Sequence, residues 1–269
     1  MLAEERLVRI TEILNQRHTG IVSVAELVTM FGVSGMTIRR DLQRLEEMSL
    51  LRRVHGGAVA YRNTPDWAPF VERHGTHGRE KQTIGWAASL LVKNGDTVLL
   101  DAGTTTPHIA HNLTSQRDVT VVTHALPVAQ ELLQHPRITI VLLGGVVKQG
   151  ESYSHGPMMI QDLSQTTVDK LFLSAAGFSV ERGATDPDPV ETALKQAMSK
   201  AAREIILVAD SSKWRHDYRN RILPIQAIQK LVVDDGLPGE AFAALESAGV
   251  EVITPSRVTT KSVYQEFLT

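Results

Sequence analysis

Ser34-Gly35-Met36-Thr37-Ile38-Arg39-Arg40-Asp41-Leu42-Gln43-Arg44-Leu45 is the stretch on which the reading of this chain turns. Laid out at about 100° per residue, Ile38, Leu42 and Leu45 fall in one apolar stripe that Met48 continues. Arg40, Gln43 and Arg44 fall on the opposite side with Met36 and Thr37, and Arg39 lies on the flank. Ser34 stands where a helix takes its N-cap. A helix with Arg, Gln and Thr facing outward suits a major groove, where Arg reads guanine edges or holds phosphates and Gln reads adenine. Alone, the same face is an ordinary solvated helix surface, so its neighbours decide.

Upstream, Leu7, Ile10, Ile13 and Leu14 share one face of a helix over about Arg6 to Asn15. Ile21-Val22-Ser23 is β-prone, and Ser23 with Glu26 forms a capping box for a second helix over Val24 to Phe31. Gly32 can end that helix with a positive φ. Three short helices with a tight glycine turn before the last make a helix-turn-helix. Downstream, Leu50 to Val54 and Ala58 to Tyr61 flank His55-Gly56-Gly57 and predict a hairpin, the wing. Its Arg52, Arg53 and His55 are expected at the phosphates beside the groove. Residues 1–58 hold eight Arg, no Lys and seven Asp or Glu, a net +1 that predicts weak binding by one module. A homodimer or homotetramer on paired half-sites of double-stranded operator DNA is therefore expected.

The run Ser34 to Leu42, followed by Leu45, Arg53 and His55-Gly56-Gly57-Ala58, resembles the DNA-binding signature of the DeoR family of bacterial transcription regulators. Asp41, a carboxylate facing the phosphates' field, is expected to hold Arg side chains in position rather than to touch DNA.

Residues 61–77 contain Pro65 and Pro69 without a clean period and read as a linker between a winged helix-turn-helix at 1–60 and a larger unit at 78–269. A helix over about Gly78 to Lys93 opens the larger unit. Strands are predicted at 97–101, 119–122, 139–143, 170–175, 204–209, 230–233 and 250–253, with helices at 105–112, 125–133, 190–202 and 240–248. Such alternation predicts an α/β fold, a mainly parallel sheet covered on both faces.

In such sheets ligands bind at the carboxyl ends of strands. Asp101-Ala102-Gly103-Thr104-Thr105-Thr106 ends one strand and begins a helix, with hydroxyls and backbone N–H groups suited to a phosphate. A Gly-Thr-Thr is also an ordinary helix cap, but Thr123-His124 and Gly144-Gly145 close the next two strands. Lys213 can pair with a phosphate, and Asp210 and Glu191 can accept hydrogen bonds from sugar hydroxyls; a surface ion pair accounts for each of these equally well. The set resembles the family's effector domain, itself similar to the ribose-5-phosphate isomerase fold. That resemblance implies effector contacts at Asp101, Gly103, Thr104, Thr105, Thr123, Gly144, Gly145, Asp210, Ser212 and Lys213, and a phosphorylated sugar or related metabolite as effector. His124 stands where Asn is common in the family. What the family implies is a repressor of a carbohydrate-metabolism operon, and no enzyme.

The rival reading is a sugar-phosphate isomerase with an appended DNA-binding module, which needs a carboxylate base beside the substrate. Glu191 and Lys213 supply part of such a site, but Ala176-Gly177-Phe178 carries no acid, and Asp186 and Asp188 flank Pro187 as turn residues.

The composition narrows the remaining classes. Of 269 residues, 42% are hydrophobic and 22% charged, with net charge −2, which excludes a uniformly basic nucleic-acid coat and a disordered chain. Cys is absent, so thiol chemistry and disulfides are excluded and a reducing cytoplasm is the expected location. The amino terminus has charges inside its apolar pattern, unlike a signal peptide, and no run reaches the roughly 18 apolar residues of a membrane span. His108 and His111 have no partner at metal spacing, and Trp67, Trp86 and Trp214 are too scattered for a stacking platform. No metal and no cofactor are expected.

Overall fold

The computed structural model describes residues 3–16, 21–47, 51–54, 56–60, 70–148 and 150–258. The expectations for Met48, Leu50, His55, Tyr61 and the linker at 61–69 lie outside these residues, and of Arg52 only the backbone is described. The chain divides into two compact units, Met1–Arg73 and His74–Thr269.

The first unit holds helices α1 (Ala3–Gln16), α2 (Val24–Phe31) and α3 (Gly35–Glu47), with strands β1 (Ile21–Ser23), β2 (Leu51–Val54) and β3 (Gly57–Ala60). Ser23 accepts the Glu26 N–H at 3.1 Å while Glu26 accepts the Ser23 N–H at 2.9 Å, the reciprocal cap expected. Gly32 ends α2 at φ +64°. Leu7, Ile10, Leu14, Leu27, Ile38, Leu42 and Leu45 are all buried in one core. The wing is antiparallel, and β3 lies between β2 and β1, so the short strand before α2 completes a three-stranded sheet. A side chain at Gly57 would put its Cβ 2.1 Å from the Val22 carbonyl oxygen, so the close approach of β3 to β1 requires glycine.

α4 (Phe70–Gly75) makes residues 70–75 of the predicted linker helical. The second unit continues with α5 (Gly78–Ser89), β4 (Thr97–Leu100), α6 (Thr106–His111), β5 (Val119–Thr123), α7 (Leu126–Leu132) and β6 (Ile138–Leu142). A hairpin of β7 (Val146–Lys148) and β8 (Tyr153–His155) leads to α8 (Pro157–Ser164) and β9 (Val168–Ser174). Then come β10 (Gly177–Ser179), β11 (Gly183–Asp186), α9 (Pro189–Ala201), β12 (Ala202–Val208), β13 (Asn220–Leu223), β14 (Lys230–Val232), α10 (Gly239–Ser247) and β15 (Glu251–Ile253).

Seven strands form one sheet in the order β15-β14-β12-β9-β4-β5-β6, and every pairing is parallel. Their apolar side chains feed two cores, one on each face. Burial on both faces is what continuous runs such as Leu171-Phe172-Leu173 and Ile205-Ile206-Leu207-Val208 encode. The antiparallel sheet β10-β11-β13 was not anticipated. Because all seven strands are parallel, their carboxyl ends lie along one edge.

Candidate functional site

In the first unit, Ser34 Oγ accepts the Thr37 N–H at 3.1 Å and fixes the start of α3. Met36 is 71% exposed, and Arg39, Arg40, Gln43 and Arg44 are exposed, while Thr37 is half-buried. Asp41 instead lies on the buried side with Ile38, Leu42 and Leu45. Its partner is Arg6 of α1, through Nε to Oδ2 at 2.6 Å and Nη2 to Oδ1 at 3.2 Å. Asp41 thus holds an Arg side chain by a salt bridge, as expected, but the Arg is on α1: the pair pins α3 to α1 and leaves the arginines of α3 facing out. The hydrogen bond to Asp41 raises the Arg6 pKa, with the carboxylate's charge adding to it against desolvation, so the buried guanidinium stays charged. Arg53, on the wing, is 4.0 Å from Glu46, which also accepts its backbone N–H at 2.8 Å.

In the second unit, the strand order sets Gly144-Gly145, Thr123-His124, Asp101 to Thr105, Ser174-Ala175 and Asp210 to Lys213 side by side at the sheet's carboxyl edge. Asp101 is fully buried. Its Oδ1 accepts the Ala102 N–H at 2.7 Å and lies 3.2 Å from His124 Nε2, and its Oδ2 accepts the Ser174 N–H and hydroxyl at 2.9 and 2.7 Å. Burial pushes this carboxyl up, but Lys195, His124 and Ser174 outweigh it and hold Asp101 below the usual carboxylate range. His124 Nδ1 faces the Ser154 carbonyl at 3.0 Å, a pure acceptor, so Nδ1 is the donor in that contact. Thr123 Oγ1 donates to the Leu100 carbonyl at 2.8 Å and accepts the Ala125 N–H at 3.1 Å, so its hydroxyl is spent inside the fold. Gly145 admits no side chain, since a Cβ there would lie 2.4 Å from the His155 carbonyl oxygen.

The loop after β4 keeps its donors. Among the described residues the N–H groups of Gly103, Thr104 and Thr105 meet no acceptor, and neither do the hydroxyls of Thr104 and Thr105. Both threonines are nonetheless 5% and 2% exposed, so these donors line a recess rather than open surface. Lys213 Nζ donates to the Ala175 carbonyl at 2.8 Å. Burial raises the Asp210 carboxyl less than Lys213, Ser212, His77 and Lys81 together lower it.

Beside Asp101, Glu191, Asp186 and Asp188 join a group of charges whose lysines, Lys195 and Lys148, the sequence did not single out. Lys195, 4% exposed, places Nζ 2.7 Å from Asp186, 3.4 Å from Glu191 and 4.0 Å from Asp101. Burial works against its charge, yet the three carboxylates raise its pKa and it stays protonated. Lys148 is 2.6 Å from Asp188 and 3.7 Å from Glu191, and the Tyr153 hydroxyl donates to Glu191 Oε1 at 3.0 Å. The spacing of Glu191 and Lys195, four residues apart on α9, was the signal available. Asp188 does cap α9, accepting the Val190 N–H at 2.7 Å. But Asp186 sits on β11, which pairs with β10 and so brings a carboxylate beside Gly177. The expectation that this corner lacks an acid, and that Asp186 and Asp188 are turn residues alone, is corrected: the neighbouring strand supplies it. Among the described residues no group of three or more His, Asp or Glu is placed to hold a metal ion, and no helix is long and apolar enough to cross a membrane.

Known proteins place the chain. The model of the DeoR-like helix-turn-helix domain matches residues 6–64, and that of the DeoR C-terminal sensor domain matches residues 76–235. The HTH-type transcriptional regulator YulB of Bacillus subtilis is 36% identical over 252 residues, 94% of this chain and 96% of that protein. The putative aga operon transcriptional repressor of Escherichia coli O157:H7 is 34% identical, covering 88% and 89% of the two chains. The transcriptional repressor GlcR of Bacillus subtilis is 34% identical over 94% and 96%. A D-ribose-5-phosphate isomerase in complex with phospho-erythronic acid superposes with a TM-score of 0.38 at 14% identity, over 51% of this chain and 54% of that one, a likeness too slight to carry chemistry. These relatives are named as transcriptional regulators or repressors, and the chain belongs to the DeoR family of DNA-binding transcriptional regulators.

Proposed function

We propose that this chain is a sequence-specific repressor of a carbohydrate-metabolism operon, acting in the cytoplasm as a homodimer or homotetramer and released from its operator by a phosphorylated sugar. Residues 1–60 read the operator through Arg39, Arg40, Gln43 and Arg44, with Ser34, Met36, Thr37 and the wing residues Arg52, Arg53 and His55 fixing the helix against the phosphates. Residues 78–269 sense the effector. The observation that carries the reading is the recess after β4: three backbone N–H groups and two hydroxyls without acceptors, at the carboxyl end of a parallel strand. Such an array binds a phosphate group, and its donors, fixed by the fold, cost little to order.

The rest of the edge suits the sugar. Glu191 and Asp210 offer carboxylate acceptors for hydroxyls, His124 presents a fixed ring at the next strand end, and Lys213 adds a cation. Gly103 lets the recess come close, since even a methyl there would crowd Ser174 at 3.1 Å. Two relatives named as transcriptional repressors, one of them putatively of the aga operon, support the sign. Effector binding would shift the population between arrangements of the chain that differ in operator affinity.

The test is operator release. With a DNA fragment selected by the protein from random sequence, an active sugar phosphate is expected to lower affinity in wild type. Replacing Thr104 and Thr105 together by Val is expected to raise the effector concentration needed, while affinity without effector stays unchanged. An unaltered response in that variant would remove the recess as the phosphate site.

A further inference from the structure

We propose that Lys81 couples the phosphate recess to the start of the sensor unit: its ammonium leaves the Thr76 carbonyl for an effector's phosphate and so frees the turn at Thr76 and His77. The proposal rests on the recess reading above and adds the residue that reports its occupancy.

The topology brings Lys81 to the recess. Ile84, Ala87, Ala88 and Val92 pack in one core with Val98 and Leu100, and residues 90–96 lead directly from α5 into β4. α5 therefore runs against the strands and begins at their carboxyl edge. α6 follows β4 over the same core, so it too begins at that edge and runs beside α5 in the same direction. The two helices meet at Gly85, where an added Cβ would lie 2.4 Å from His108 Cβ and 2.6 Å from the His108 carbonyl carbon. One turn back along each chain, Lys81 stands level with Thr104 and Thr105, the threonines of the recess. On its other side is the end of β12, where the charges of His77 and Lys81 help to hold the Asp210 carboxyl down.

The side chain is built into this corner. Lys81 is 3% exposed, and its Nζ donates to the Thr76 carbonyl at 2.6 Å. Its backbone N–H donates to the His77 carbonyl at 3.0 Å, so one residue ties down both carbonyls of the turn. The turn needs such support, because His77 takes φ +52°, in the left-handed region that residues with a Cβ seldom adopt. It also stands where the chain enters the sensor unit, just beyond Arg73, the last residue of the first unit. Lys195, the other buried lysine of this edge, is committed to carboxylates at 2.7 and 3.4 Å. Lys81 gives its donor to a neutral carbonyl, which offers an ammonium far less attraction than a phosphate does. A phosphate in a recess this closed needs a cation beside it. The phosphate-bound state is therefore the one in which Thr76 loses Lys81, and effector binding shifts the population toward a loosened turn.

Thermal shift of the full chain with inorganic phosphate, against chloride at equal ionic strength, tests the binding step. Phosphate is expected to raise the melting temperature of the wild type; Lys81→Met is expected to lose most of that shift and Lys81→Arg to recover it. No shift in the wild type overturns the recess reading and this inference with it. A wild-type shift that the Thr104→Val, Thr105→Val double variant loses but Lys81→Met keeps overturns this inference alone. Hydrogen exchange of the wild type tests the coupling step and needs no variant, so it decides even if Lys81→Met fails to fold. Phosphate is expected to slow exchange at residues 103–105 and to quicken it at the Lys81 amide by about fivefold or more, the low end of usual coupling between sites. Exchange at Lys81 that slows or stays unchanged overturns the proposal, since phosphate would then bind without loosening the turn. Folded Lys81→Met, with its turn already loose, is expected to bind a selected operator fragment about fivefold more weakly than the wild type without effector, and equal affinity overturns the coupling.

Discussion

Replacing Asp41 by Asn keeps the shape of the side chain and removes its charge, leaving Arg6 buried opposite a neutral amide. Both members of the pair are nearly inaccessible, at 8% and 5% of side-chain surface, and two hydrogen bonds of 2.6 and 3.2 Å join them. Breaking a buried pair by removing one partner costs about 3–5 kcal/mol, and the lower end applies because the Asn oxygen still accepts one hydrogen bond. For a unit of this size each kcal/mol moves the melting temperature by about 4–8 °C, so the DNA-binding transition should fall by roughly 12–24 °C. Calorimetry of the full chain reads this unit separately if the two units melt apart. The combination Arg6→Met with Asp41→Leu should restore most of the loss, because an apolar pair of similar volume costs neither desolvation nor an unpaired charge. A shift below about 2 °C in Asp41→Asn, less than half the movement expected for a single kcal/mol, would refute the reasoning. A double variant as unstable as the sum of its singles would do the same.

Arg40→Ala should weaken operator binding by about 1–3 kcal/mol at matched salt with both melting transitions unchanged; unaltered affinity would mean that another face of α3 meets DNA. Lys195→Met removes the cation shared by Asp101, Asp186 and Glu191 and should destabilise the sensor unit by about 3–5 kcal/mol at neutral pH. Because burial raises the Asp186 carboxyl even beside Lys195, that loss should shrink as pH falls and Asp186 takes up a proton; a loss independent of pH would exclude the electrostatic account. Asp101, Asp188 and Asp210 are all held below the ordinary range, so the stability they contribute is full above about pH 4 and is lost as pH falls through their lowered folded values. Urea midpoints of the sensor unit measured down this range should fall, and a flat profile would contradict it.

The fold was legible where the signal was local. Ser23 and Glu26 carry their cap within one turn, and Gly32 needs only its own φ to end α2. Ile38, Leu42 and Leu45 announce the buried face of α3, and the unbroken apolar runs of β9 and β12 announce strands covered on both sides. What stayed hidden depends on distant partners. Asp41 meets Arg6, 35 positions away, although spacing along α3 already puts it on the face of Ile38 and Leu45. Asp186 and Asp188 look like turn residues around a proline because nothing nearby in sequence shows Lys195 or Lys148 closing on them. The strands β10, β11 and β13 are three or four residues long and lack alternation, so no period marks them. At the candidate site, the loop Asp101 to Thr105 was legible as donors at a strand end, while the spent hydroxyl of Thr123 follows only from the register of β5 against β4.

The proposed sensor unit takes a phosphorylated sugar at the recess after β4. A thermal-shift panel of sugar phosphates, each beside its unphosphorylated sugar, tests it most directly. A ligand that binds only the folded chain adds about 2.7 kcal/mol at a hundredfold excess over its Kd. A selective upward shift is expected with one or a few phosphorylated members and none with their unphosphorylated counterparts, lost in the Thr104, Thr105 double Val variant. A flat panel, or equal shifts with and without the phosphate, would contradict it.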